Sequence, residues 1–226
     1  MDCGKDKSLF QETVILCGSG PSIRQWVGFI NESNYPVFAI NNVVKLVKPD
    51  IWLGQDVILK DKFPLWIWDC PTTIKFVPTI KSDPVTFRGS KDATHIFNMK
   101  RRFYLDMKFD FNLDTFFQGR YQLGNKITDN RIIKLNGVNV QSCSTSFLPA
   151  LRVCYEMGYQ RIVLAGVDLT VENGLYVHTD KQYSKPIMDM ETKRLAFLKA
   201  AIAELTPMLA QRNVGIISID DLTGDR

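Results

Sequence analysis

Thr13-Val14-Ile15-Leu16-Cys17-Gly18-Ser19-Gly20-Pro21-Ser22 is a short apolar run that ends in two glycines, and then Pro-Ser opens a helix. Apolar residues without alternation read as a strand buried on both faces, the habit of parallel sheets. A matching junction lies far downstream. Ser144-Thr145-Ser146 starts a helix, and Ile162-Val163-Leu164-Ala165-Gly166-Val167-Asp168 ends a second buried strand in an acidic residue. Outward from these two junctions the period alternates. Strands are predicted at 37–40, 51–54 and 214–219, and helices at 23–32, 43–47, 146–157 and 187–209, with Trp26, Val27 and Ile30 on one face of the first. Short loops joined by crossover helices predict an α/β fold: a Rossmann-like, mostly parallel, doubly wound sheet.

The segment 60–141 departs from that rhythm. Pro64, Pro71, Pro78 and Pro84 interrupt it, aromatics are frequent, and no period holds. Such irregularity inside one domain of residues 1–226 reads as a functional cap or lid. A chain of 226 residues buries a full core on its own.

Composition narrows the class. Hydrophobic residues make up 45% and charged residues 23%, the balance of an ordinary globular protein. Net charge is +4, which suits an anionic ligand without demanding nucleic acid. The five cysteines (Cys3, Cys17, Cys70, Cys143, Cys154) are odd in number and lack zinc spacing. They point to a reducing cytoplasm. No run is apolar and long enough for a membrane span, and Met1-Asp2-Cys3-Gly4-Lys5-Asp6 has no signal-peptide character.

Candidate site residues cluster at the strand ends, where open α/β sheets place ligands. Gly18, Ser19, Gly20, Pro21 and Ser22 suit a phosphate, because glycine lets backbone approach and a helix start carries unpaired N–H groups. The alternative is a tight turn with Ser22 as N-cap. Asn41 and Asn42 follow the second strand, as ligand contacts or as an Asx turn. Asp56 is placed to hold a divalent cation, or to cap a loop. Ser144, Thr145 and Ser146 form a hydroxyl-rich helix start, a phosphate site, N-caps, or both. Asp168 is costly to bury without a partner, which favours a site role. His178, in a polar loop after that strand, has the character of a general base. His95 reads as structural. Lys100-Arg101-Arg102, beside Phe97, Phe103, Tyr104 and Arg120-Tyr121, reads as a solvated face or as a contact for a nucleotide or polyanionic acceptor.

Gly18 to Ser22 resembles the GxGPS opening of the small bacterial sialyltransferases and of the MAF, or 6-hydroxymethylpterin diphosphokinase-like, family. The block from Thr145-Ser146 through Ala150, Met157-Gly158-Tyr159 and Ile162 to Leu169 resembles a block of both. Pro49-Asp50 followed by Asp56 is similar to the diphosphokinase-like pattern. Tyr176-Val177-His178 and the following 192–198 resemble the sialyltransferases' catalytic-histidine loop and helix. The resemblance covers the two ends of the chain. It implies that Asn41 contacts the donor and that His178 is the general base.

The expectation is a transferase using a nucleotide-activated donor, most simply a glycosyltransferase acting on the hydroxyl of a small molecule or glycan, with no cofactor. The alternative is Mg²⁺-dependent diphosphate transfer to a pterin-like alcohol, with Asp56 and Asp168 near the metal. A third is a non-catalytic nucleotide-binding module. Oligomeric state stays open.

Overall fold

A computed structural model describes residues 11–54, 66–67, 70, 73–80, 94–100, 130–135, 138–141, 145–169 and 185–224. The fold is α/β. The central strands are β1 (Thr13–Cys17), β2 (Val37–Ile40) and β3 (Ile51–Leu53), followed by β4 (Ile74–Ile80), β5 (Thr94–Lys100), β6 (Asn130–Leu135) and β7 (Val138–Gln141), then β8 (Arg161–Ala165) and β9 (Gly215–Ser218). The described helices are α1 (Ile23–Glu32), α2 (Phe147–Glu156), α3 (Lys185–Ala210) and α4 (Ile219–Thr223), and a 3-10 turn covers Asn41–Lys45. The strands form one sheet in the order β7-β6-β5-β4-β3-β2-β1-β8-β9. Pairing is parallel from β9 through β5 and antiparallel among β5, β6 and β7.

Every residue of β1, β2 and β3 is buried, as the unbroken apolar runs predict. The core around them includes Phe38, Trp52, Tyr159, Leu151 and Leu205. Each such side chain removed from water contributes about 1.5–3 kcal/mol. On α1 the inward stripe is Ile23 and Ile30, with Trp26 and Val27 half-buried at its border. The helix therefore presents a face rotated from the predicted Trp26–Val27–Ile30 stripe.

The segment 60–141 contributes β4 to β7 to the same sheet, although no period announces them. Pro78 explains part of the difference. β3 meets β4 over Ile74–Phe76, so among the described residues Pro78 has a strand neighbour, β5, on one side only. A strand tolerates proline where no second partner needs its amide. Apart from 66–67, 70 and 73, the remainder of the expected cap lies outside the described residues.

Candidate functional site

The parallel register sets the site. Cys17 pairs with Ala39 on one side and with Ala165 on the other, so β1, β2 and β8 end at the same edge. Gly18, Asn41 and Gly166 leave the sheet there. The strand order reverses at this place, since the chain passes from β1 to β2 in one direction and from β8 to β9 in the other. That reversal is where open parallel sheets leave a crevice for ligands.

The loops after β1 and β8 are zipped together in the crevice. Gly18 N–H donates to the Ala165 carbonyl at 2.8 Å, and Gly20 N–H to the Gly166 carbonyl at 2.8 Å. Neither Gly18 nor Gly20 has a positive φ, whereas Gly166 does, at 63°. The pair is glycine for want of space. A Cβ on Gly18 would lie 2.5 Å from the Gly166 oxygen, and one on Gly20 would lie 2.7 Å from the Asp168 carboxylate. The approach expected at these glycines was to a phosphate; the described neighbour that they meet is the β8 loop.

Asp168 completes the junction. Its Oδ2 accepts the Ser22 N–H at 2.8 Å, and its Oδ1 accepts the Ser22 hydroxyl. The alternative reading of the turn makes the Ser22 side chain the cap of α1. The backbone of Ser22 is helical and its side chain caps no amide, so the carboxylate from 146 residues away takes that position. A carboxylate at a helix start is favoured by the unpaired N–H groups and the dipole there. Asp168 is thus partnered, and it occupies the place that a phosphate was expected to take at α1.

The second cluster surrounds Asn41. Its φ is 49°, one of two positive values among described non-glycine residues. Its Nδ2 donates to Ser146 Oγ at 2.9 Å, and its carbonyl accepts the Trp52 indole N–H at 3.1 Å. Asn is the side chain that best tolerates this conformation, and the two hydrogen bonds hold it. Asn42 continues into the 3-10 turn. At the start of α2 the capping oxygen belongs to Thr145, whose Oγ1 accepts the Phe147 N–H at 3.0 Å, while Ser146 faces Asn41.

Gly18 to Ser22, Asn41, Asn42, Thr145, Ser146 and Asp168 therefore share one edge of the sheet. Ser144, Asp56 and His178 lie outside the described residues, as do Arg101, Arg102, Phe103, Tyr104, Arg120 and Tyr121. Phe97, Lys100 and His95 fall in β5, with His95 opposite Phe76. Asp50, part of the Pro-Asp pattern, stands at the opposite edge. Its carboxylate accepts the Val37 N–H at 2.8 Å, and its carbonyl accepts the Ile74 N–H, which ties three strand starts together. Its role is structural.

Sequence reading missed Trp52, whose indole fixes Asn41. It also missed a cleft beside the junction, of about 460 Å³, lined by residues that include Trp26, Thr206, Ser218, Asp220 and Asp221. Ser218-Ile219-Asp220-Asp221 carried a readable signal, because a serine followed by acidic residues is a helix start. Among the described residues no group of His, Cys, Asp and Glu converges as a metal site. No described helix is long and apolar enough to cross a membrane. The chain matches no protein-family model, no curated protein and no solved structure.

Proposed function

We propose that this chain is a transferase that binds a nucleotide-activated donor at the carboxyl edge of a Rossmann-like sheet and passes a sugar to an acceptor hydroxyl. Asn41 carries the reading. A non-glycine residue in the left-handed region, held through both its carbonyl and its amide at the strand-order reversal, supports a preorganised ligand contact. Ser146 and Asn41 then position the donor together. The Gly18 and Gly20 amides are committed to the β8 loop, so the turn shapes the wall of the crevice rather than cradling a phosphate with those two amides. The resemblance to the small sialyltransferases supplies the general base, His178, and requires no metal.

A thermal-shift screen of CMP-, UDP- and GDP-sugars against ATP, with and without Mg²⁺, tests the donor class, since a ligand of the native state raises its stability. A metal-independent response to a nucleotide sugar is expected. Mg²⁺-dependent ATP binding would overturn it in favour of diphosphate transfer, with Asp56 and Asp168 as the carboxylates to replace. Asn41→Gly sharpens the test because glycine keeps the left-handed backbone and removes the amide. Donor affinity should fall about tenfold, the worth of one good hydrogen bond. His178→Ala should leave donor binding intact and lower turnover by ~10²–10⁴.

A further inference from the structure

Trp52 is wholly buried in β3, where it pairs with Ala39 of β2 on one side and Lys75 of β4 on the other. Residues paired across parallel strands share a face of the sheet. Asn41 lies two residues beyond Ala39. The small Ala39 side chain leaves the indole room to lean along β2 toward the strand end, and its Nε1–H reaches the Asn41 carbonyl at 3.1 Å. A core position asks only for volume, which phenylalanine or leucine also supplies. An indole adds one N–H that has to be partnered once buried. Here the partner is the peptide that follows a strained residue, since Asn41 has a φ of 49°. The strain of a left-handed non-glycine residue and the worth of one hydrogen bond are of the same order. The indole is therefore a large enough effect to decide whether Asn41 keeps that backbone. The backbone in turn sets where the Asn41 amide goes, and it goes to Ser146 Oγ at 2.9 Å.

We propose that Trp52 is a positioning residue, which touches no ligand itself and holds the Asn41 peptide so that the Asn41 amide is aimed before a ligand arrives. Its effect on affinity rests on the reading of Asn41 as a donor contact. Its effect on Asn41 does not. Full burial keeps the ring away from any ligand in the crevice, so Trp52 acts through Asn41 alone. Such preorganisation raises affinity because the ordering is completed in the free protein.

A ligand-free measurement and a titration test this together. The side-chain amide resonances of Asn41, assigned by their loss in Asn41→Gly, are recorded without nucleotide. Trp52→Phe keeps an aromatic ring in the core and removes the N–H. Site-specific 3-benzothienylalanine in place of Trp52 keeps the fused-ring shape with sulfur for the N–H, and it serves where the phenylalanine variant does not fold. Either change should move the Asn41 resonances toward those of a solvated asparagine. Resonances at their wild-type positions in a folded variant would overturn the proposal. Nucleotide-sugar affinity is then measured around the double-mutant cycle of Trp52→Phe and Asn41→Gly. Trp52→Phe alone should weaken binding by about threefold to tenfold. In the Asn41→Gly background it should cost nothing further, because the amide that it aims is gone. Fully additive losses would make Trp52 a packing residue and overturn the proposal. A wild-type chain that binds no nucleotide sugar defeats the donor reading instead, and the ligand-free resonances then decide the positioning by themselves.

Discussion

Gly20 shows how one residue type answers two different questions. A turn glycine allows a ligand to approach backbone, and it equally allows another loop to approach. Here a Cβ on Gly20 meets Asp168 and the Gly166 carbonyl, all backbone or short side chain with little room to yield. Gly20→Ala should therefore destabilise the fold by about 1–3 kcal/mol, the usual cost of overpacking. Chemical denaturation of the two proteins measures this. Unchanged stability would mean that the two loops separate freely. The need for glycine was legible at this position, and its cause was not. The partner of Ser22 lies 146 residues away, and no local pattern of charge or hydropathy encodes that distance. Asn41 is similar. Its place at the end of an apolar strand was readable, but its left-handed backbone and the Trp52 indole that fixes it belong to tertiary structure.

Helix α1 depends on a carboxylate that belongs to another element. Asp168 accepts both the amide and the hydroxyl of Ser22, and α1 has no acidic residue of its own in the first turn. Asp168→Ala should cost about 1–2 kcal/mol, the worth of an N-cap in a favourable helix dipole. Hydrogen exchange should show the loss first in the amides of α1. Protection of α1 equal to wild type would remove Asp168 from the capping role and leave it to the site alone. The elements themselves were legible to within a residue or two wherever an apolar run repeats. Strands β1, β2, β3 and β8 and helices α1 and α2 fall where their periodicity puts them. Strands β4 to β7 were illegible because Pro78 interrupts the apolar pattern within the first of them and because alternation is weak through the rest. Helix α3 was legible in spite of Pro207, which lies near its C-terminal end.

At the scale of the whole molecule, two buried titratable groups make the fold sensitive to alkali. Burial pushes the Cys154 thiol well up, and Tyr159 is raised by burial first and then by its neighbours Cys154 and Asp50. Both must stay protonated in the native state, whereas in the unfolded chain they ionise near about 8.5 and about 10. The unfolded state then holds fewer protons, so stability is full below those values and falls as pH rises through them. Melting temperature should decline from about pH 8.5 upward, and Tyr159→Phe should flatten the decline. The Tyr159 hydroxyl has no hydrogen-bond partner among the described residues, so that variant should be neutral or more stable at pH 7. The same protected core holds the carboxyl edge of β1, β2 and β8 in one register, the edge at which we propose that a nucleotide-activated donor binds. Backbone amide chemical shifts recorded during titration with a nucleotide sugar test it most directly. Changes should gather at Gly18 to Ser22, Asn41, Asn42, Thr145, Ser146 and Gly166 to Asp168. Changes centred instead on the opposite edge, around Val37, Asp50 and Thr73, would contradict it.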